Sequence, residues 1–152
     1  MVPALFDALD LDPKKLREVV QEHVALTHQD KDVLRAADAF VRILLAVRAG
    51  KPLRDAILEE APDWISNAKI SRWIKAQDQV VIGQHLSPAC YIPDAFPASL
   101  YLAWKYADDF SAGICANAQV GGDSCHRGAV VGALLGTANA IPSRWIEGIW
   151  AV

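Results

Sequence analysis

Apolar residues along most of this chain recur at intervals of three and four, which is the spacing on one face of an α-helix. The clearest example lies between Asp30 and Gly50. Its apolar face consists of Val33, Leu34, Ala37, Phe40, Val41, Leu44 and Leu45. Asp before the first apolar position and Gly after the last are typical residues at the start and end of a helix. The pattern therefore predicts a helix between these two residues.

The same periodicity predicts helices over most of the chain. Asp12 caps a first helix that begins at Pro13, and Pro52 and Pro62 begin two more. A loop from Gly83 to Pro93 separates these from four further predicted helices, at 94–105, 108–117, 124–140 and 142–150. The run 80–82 is a candidate strand without a partner. We therefore predict a single all-α domain over residues 1–152, a compact orthogonal helical bundle.

Composition and charge exclude several classes of protein. The chain has 152 residues, of which 53% are hydrophobic and 22% are charged, and this fits one folded globular domain. Because the net charge is −3 and no basic stripe is present, we expect no nucleic-acid partner. The longest apolar run, 129–138, is too short to cross a bilayer, so we expect no membrane association. The start of the chain lacks the basic region of a signal peptide, and Cys90, Cys115 and Cys125 form no CxxC pair. A cytoplasmic location with reduced thiols follows.

The segment most informative about function is a double-glycine turn that leads directly into a helix of small residues. It reads NAQVGGDSCHRG from Asn117 to Gly128. Glycines let a ligand approach the backbone, and a helix N-terminus offers unpaired N–H groups. The start of this helix carries Asp123, Ser124, Cys125, His126 and Arg127. Gly128, Gly132 and Gly136 then recur every four residues, which predicts tight packing against a neighbouring helix.

The turn and its helix resemble the C-terminal signature of the ADP-ribosylglycohydrolases, a family that includes the dinitrogenase-reductase-activating glycohydrolases and the J1 crystallins. The resemblance rests on Gly121-Gly-Asp-Ser, Gly128, the segment 132–136, Ile141-Pro142 and Trp145. Two earlier segments are similar to other family motifs. They are Leu26-Thr27-His28-Gln-Asp30, similar to a Thr-His-x-Asp segment, and Tyr91–Tyr101, similar to a Gly-Tyr-Val-x-Glu-Ala-Leu-Pro segment. The resemblance spans about residues 23–150 and implies the C-terminal half of the family's domain.

The resemblance implies an all-α fold that cleaves the bond between the anomeric carbon of ADP-ribose and its leaving group. In the family, two Mg²⁺ ions are held by an early Asp-Asp segment and a C-terminal Asp-x-Asp-Thr motif. Asp123 matches the first acid of the latter motif, which makes it the catalytic and metal-binding candidate. The resemblance also implies that an ADP-ribose-like small molecule is bound near the turn. The remaining ligand-binding candidates are His28, Tyr91, Asp94, Gly121, Gly122, Ser124, Cys125, His126 and Arg127.

The chain departs from the family pattern in two places. Nothing in it resembles the early acidic segment, since Asp7, Asp10 and Asp12 are spaced through a helix start. We therefore expect a missing N-terminal half, or a homo-oligomer formed through the face that this half would cover. In the C-terminal motif, Cys125 and His126 replace the second acid and the threonine. Since Mg²⁺ requires hard oxygen ligands, we predict that the magnesium site is weakened or lost, and we expect no cofactor.

Four interpretations of the turn remain open. In one, Asp123, Cys125 and His126 bind Zn²⁺, with His28 as a further ligand. In another, Cys125 is a nucleophile and His126 is its base. In a third, Arg127 replaces the metal's charge and pairs with Asp123 or with a ligand phosphate.

The fourth interpretation is structural. In it, Asp123 or Ser124 caps the helix, Cys125 is buried, and His126 and Arg127 satisfy hydrogen bonds. It also makes His28 a capping or packing residue, Asp94 a helix cap and Tyr91 an anchor in the core. The predicted function is an ADP-ribosylglycohydrolase-like protein with lost or altered Mg²⁺-dependent hydrolysis. The alternative is a non-catalytic module that binds ADP-ribose or a nucleotide, or has a structural, crystallin-like role.

Overall fold

The computed structural model describes residues 12–148, and in that range the protein forms nine α-helices and no β-strand. The helices are α1 (Pro13–Ala25), α2 (Lys31–Arg48), α3 (Leu53–Glu60), α4 (Asn67–Trp73), α5 (Asp78–Val80), α6 (Ile92–Lys105), α7 (Phe110–Val120), α8 (Ser124–Ala138) and α9 (Ser143–Glu147). The segment Val81–His85 follows α5 and is not a regular helix, since Ile82 (φ −95°, ψ 87°) and Gly83 (φ 154°, ψ −32°) have non-helical backbone angles. The all-α prediction is confirmed. The interpretations of Asp7, Asp10 and the end of the last predicted helix lie outside the described residues.

Side-chain caps fix several helix starts where the sequence predicts them. Asp12 accepts hydrogen bonds from the backbone N–H groups of Lys14 and Lys15, at 3.0 and 3.1 Å. Asp30 begins α2 in the same way, and Gly50 follows the end of α2 with a φ of 94°, a conformation that glycine adopts at no steric cost. These contacts satisfy N–H groups that have no partner within the helix.

Several predicted elements differ from the observed ones, and the helix predicted at 108–117 runs from Phe110 to Val120. Pro62 lies in a turn instead of beginning a helix, and the following helix starts at Asn67, where the Ser66 hydroxyl accepts from Lys69 N. The run 80–82 is not a strand, because Val80 ends α5 and the next two residues belong to the irregular segment 81–85. Helix α6 begins at Ile92, before the predicted Asp94, since Pro93 fits the first turn of a helix, where its missing N–H has no intrahelical partner.

Helix α6 is the centre of the bundle. Its residues from Phe96 to Ala103 are all buried, and it packs against α2, α3, α7 and α8. The ring of Phe96 meets Trp64 edge to face, with centroids 5.2 Å apart. A second cluster, Leu16, Val20 and Val41, anchors α1 on α2. Within residues 12–148, no helix has the length and apolarity needed to cross a membrane.

Helix α8 packs closely along α7, as the sequence predicts, and Gly132 and Gly136 face that neighbour. A Cβ at Gly132 would lie 3.5 Å from Ile114 Cδ1, and one at Gly136 would lie 3.6 Å from Phe110 Cε2. On its other side, Gly136 is met by Ile141 Cδ1 at 3.2 Å from the same Cβ position. This packing fixes the N-terminus of α8 next to the end of α7 and so positions the double-glycine turn.

Candidate functional site

The double-glycine turn is held against the loop that precedes α6. Gly121 and Gly122 have φ angles of 74° and 64°, which L side chains rarely adopt. A Cβ at Gly122 would lie 2.4 Å from the carbonyl oxygen of Pro88, so only glycine fits there. The next residue, Asp123, donates its backbone N–H to the same oxygen at 2.9 Å. The turn and the Pro88 loop therefore form one unit.

Asp123 caps α8, and its carboxylate is engaged by His126. One carboxylate oxygen accepts from the backbone N–H of His126 at 3.4 Å. The imidazole Nδ1 lies 2.7 and 2.9 Å from Oδ1 and Oδ2. The hydrogen bond from His126 lowers the pKa of Asp123 from its ordinary value. The structural interpretation of Asp123 as a cap is confirmed, and both of its oxygens already have a partner.

Arg127 is buried, with 4% of its surface exposed, and it bonds to carbonyl oxygens instead of a carboxylate. Its Nε donates to Asn117 Oδ1 at 2.7 Å, and Nη2 donates to the backbone oxygens of Asn117 and Gly121, at 3.1 and 2.6 Å. Burial lowers the pKa of Arg127, an effect that the negative charge of Asp123 opposes. Arg127 therefore satisfies interhelical hydrogen bonds, as the structural interpretation expects, and forms no ion pair with Asp123.

Asn117, at the end of α7, is a site residue that the sequence analysis missed. Besides accepting from Arg127, its Nδ2 donates to the backbone oxygen of Ser124 at 2.9 Å. A Cβ at Gly128 would lie 2.8 Å from that Nδ2, so the glycine makes room for the amide. The sequence signal that could have identified Asn117 is its position: it is an amide near the end of a helix of small residues, shortly before the glycine turn.

A small open cavity of about 110 Å³ lies where the Pro88 loop, α6 and the start of α8 meet. It unites residues from two segments of the chain, 89–99 and 123–130. The polar or small groups that line it are Cys90, Ala95, Ser99, Asp123, His126 and Arg127. Of the predicted site residues, the structure thus brings Asp123, His126 and Arg127 together at one cavity.

The remaining side chains proposed from the sequence lie elsewhere. His28 is exposed in the connection between α1 and α2, where its Nδ1 contacts Thr27 Oγ1 at 2.9 Å. Tyr91 is 73% exposed, so it is not the core anchor that the structural interpretation expects. Asp94 lies in the first turn of α6, whose N-cap is Tyr91, so it is not a capping residue. Cys125 is exposed, which contradicts its interpretation as a buried apolar residue.

The residues present do not fit a metal centre. Among residues 12–148, no group of three or more His, Cys, Asp or Glu side chains is arranged to hold a metal ion. The proposed Zn²⁺ ligands therefore do not assemble. A pair of Mg²⁺ ions needs several oxygen ligands, whereas the turn supplies one carboxylate, already bonded to an imidazole. His126 directs Nδ1 at Asp123, and no hydrogen bond joins it to Cys125 in the described part of the chain.

A second polar cluster, which the sequence analysis did not detect, joins α5 to α6. Asp78, at the start of α5, is 9% exposed and accepts from Tyr101 Oη at 2.8 Å, Lys105 Nζ at 2.7 Å and Tyr106 Oη at 2.6 Å. Burial alone raises the pKa of Asp78, but the three hydrogen bonds outweigh it and the pKa is lowered. Burial and the Asp78 carboxylate raise the pKa of Tyr106 to about 12. The cluster fixes α5 on α6.

Comparison with known proteins identifies the family. The ADP-ribosylglycohydrolase family model matches residues 1–151. Searches of curated proteins and of solved structures gave no significant match. Because the family model covers nearly the whole chain, the chain belongs to the ADP-ribosylglycohydrolase family, as the motifs of the turn, of the His28 segment and of the Tyr91 segment indicate.

Proposed function

We propose that this member of the ADP-ribosylglycohydrolase family has lost or altered the Mg²⁺-dependent hydrolysis of ADP-ribose conjugates. The proposal rests on the contact between the Asp123 carboxylate and the His126 imidazole. The two carboxylate oxygens lie 2.7 and 2.9 Å from His126 Nδ1, so the imidazole competes for them with any cation that approaches. The buried guanidinium of Arg127, four residues after Asp123, adds a positive charge near the carboxylate. This charge further disfavours the binding of a divalent cation.

A non-catalytic module that binds an ADP-ribose-like ligand is the second candidate function. The observation that favours it is the cavity beside Arg127, which keeps a cation and small side chains next to a glycine turn. Its volume of about 110 Å³ is well below the roughly 300–1,000 Å³ typical of small-molecule sites. The cavity therefore accommodates one group of such a ligand, and the rest of the ligand would lie on the surface around it.

Restoring the family motif tests the first proposal directly. Cys125→Asp together with His126→Thr returns the second acid and the threonine, and removes the imidazole from Asp123. Mg²⁺ binding is measured by isothermal titration, and ADP-ribose release is measured with and without Mg²⁺. We expect the double variant to bind Mg²⁺ at least tenfold more tightly than the wild type. A wild-type chain that binds Mg²⁺ as tightly as the variant would refute the proposal.

Asp123→Asn and Asp109→Asn form a matched pair for the catalytic question. Both residues cap a helix through a side-chain oxygen, Asp123 at α8 and Asp109 at α7, where it accepts from Ala112 N at 2.9 Å. If hydrolysis is lost, the two variants release ADP-ribose no differently from the wild type. Mg²⁺-dependent release that is abolished by Asp123→Asn and kept by Asp109→Asn would show a working catalytic acid. ADP-ribose binding without release supports the binding module, and the absence of both supports the structural, crystallin-like role.

A further inference from the structure

We propose that the cavity beside Arg127 is a binding site for one small oxyanion of the phosphate type, held by the Nη1 edge of the buried guanidinium. The inference deepens the binding function proposed above and rests on it for the identity of a larger ligand that would carry this group.

The hydrogen bonds of Arg127 occupy one edge of its guanidinium and leave the other available. The group has five N–H donors. Nε and both donors of Nη2 are directed at the three oxygens of Asn117 and Gly121. Nη1 donates to no protein group in the described residues. It is not fully buried, because the fully buried side-chain nitrogens that lack a partner there are Arg42 Nε, Trp104 Nε1 and Trp145 Nε1. Arg127 is among the residues that line the cavity, and an anion placed there would meet the Nη1 donors.

The charge of Arg127 has no direct counter-ion. Its three protein partners are neutral oxygens, and a buried cation without an opposite charge is unfavourable. Asp123 is the other charged group of the cavity, but both of its oxygens are bonded to His126. A guanidinium matches the planar, two-oxygen edge of phosphate and carboxylate groups. An oxyanion at Nη1 would therefore supply the missing charge and accept the available donors.

The guanidinium is also fixed in place before any ligand arrives. Asn117 bonds it at two positions, and the amide of Asn117 is itself held by Ser124 O and by the space at Gly128. A donor that is already oriented loses little entropy on binding. The cavity volume of about 110 Å³ compares with about 30 Å³ for one water in the liquid, which suits a phosphate-sized group and excludes a whole nucleotide.

Titration with inorganic phosphate, followed by NMR of the arginine side-chain N–H resonances and by calorimetry, tests the proposal. We expect saturable shifts at Arg127. Ala95→Leu should fill the cavity without touching the guanidinium bonds and weaken binding at least tenfold. Arg127→Lys keeps the charge but removes the forked donor, and should also weaken binding at least tenfold. Arg72→Gln, at an exposed arginine of α4, is the control and should have no effect.

The outcomes separate this proposal from the function proposed above. Phosphate that binds the wild type, Ala95→Leu and Arg127→Lys with equal affinity, or that leaves the Arg127 resonances unmoved, overturns the anion site. Circular dichroism melts confirm that each variant is folded, and Arg127→Lys carries the test if Ala95→Leu does not fold. ADP-ribose is then added as a competitor. Phosphate binding at Arg127 that ADP-ribose fails to displace supports the anion site and counts against the ADP-ribose-binding function alone.

Discussion

Replacement of Asp78 by alanine is expected to lower the free energy of unfolding by about 3–5 kcal/mol, the usual cost of removing one partner of a buried ion pair. The side chains of Asp78 and Lys105 are 10% and 20% exposed, so solvent screens their 2.7 Å contact only weakly. The change also leaves the hydroxyls of Tyr101 and Tyr106 without an acceptor. Hydrogen bonds to a charged group contribute about 1.5–3 kcal/mol each, but three that share one carboxylate are not additive.

The pH dependence of this loss follows from the lowered pKa of Asp78. A carboxyl whose pKa is lower in the folded than in the unfolded chain stabilises the fold above the unfolded value, about 3.9 for Asp. The stabilisation disappears as the pH falls through the folded value. The difference in unfolding free energy between the wild type and Asp78→Ala should therefore be constant near neutral pH and shrink below about pH 4.

Urea unfolding followed by tryptophan fluorescence measures the difference, because Trp73 lies edge to face with Tyr101 at 5.8 Å. Asp63→Ala is the matched control. Its carboxylate pairs with Arg35 at 2.9 Å but is 71% exposed, so the expected loss is below about 1 kcal/mol. Equal losses for Asp78→Ala and Asp63→Ala would refute the argument that burial makes the Asp78 cluster important for stability.

Two pairs of glycine variants test the packing of the turn. Gly122→Ala should lower the free energy of unfolding by more than about 3 kcal/mol, because positive-φ strain of about 1–3 kcal/mol adds to a clash with Pro88 O. Gly50 has a φ of 94° and open space around it, so Gly50→Ala should show the strain alone. Gly128→Ala should destabilise the fold by about 1–2 kcal/mol, because the new methyl group displaces Asn117 and its buried hydrogen bonds are lost. Gly132→Ala should be neutral or stabilise the fold by up to about 1 kcal/mol, because alanine has the higher helix propensity. Equilibrium urea unfolding checks all four, and equal effects within either pair would contradict the assigned contacts.

Two helix starts were predictable from the sequence because a local cap determines them. Asp12 and Asp30 each place a side-chain oxygen on nearby backbone N–H groups, an interaction that depends on residues two or three positions away. Pro62 misled because a proline favours both a first helical turn and an ordinary turn. The fold of the Val80 segment was not predictable, because an apolar run of that length fits a strand or a buried helix equally well.

The candidate site was predictable only where its residues are neighbours in sequence. Asp123, His126 and Arg127 stand in one helical turn, so the glycine motif was enough to identify them. Cys90 and Ser99 reach the same cavity through tertiary packing, and Asn117 reaches Arg127 through the crossing of α7 and α8. Sequence periodicity carries no information on such contacts. The exposure of Tyr91 was likewise unpredictable, since it depends on the direction in which the Pro88 loop enters α6.

Helix capping explains the contact between the Asp123 carboxylate and His126 better than the loss of a second acid does. His126 is the third residue of α8, the position whose N–H a capping side chain reaches. Any residue there is brought close to the capping carboxylate, and an imidazole is long enough to meet both oxygens, as the distances of 2.7 and 2.9 Å show. A threonine side chain is shorter, and its hydroxyl oxygen has lone pairs of its own that can accept a cation, so it would compete less with a cation for the carboxylate. Replacement at this one position thus accounts for an occupied Asp123, and Cys125, which is exposed, need not contribute to it.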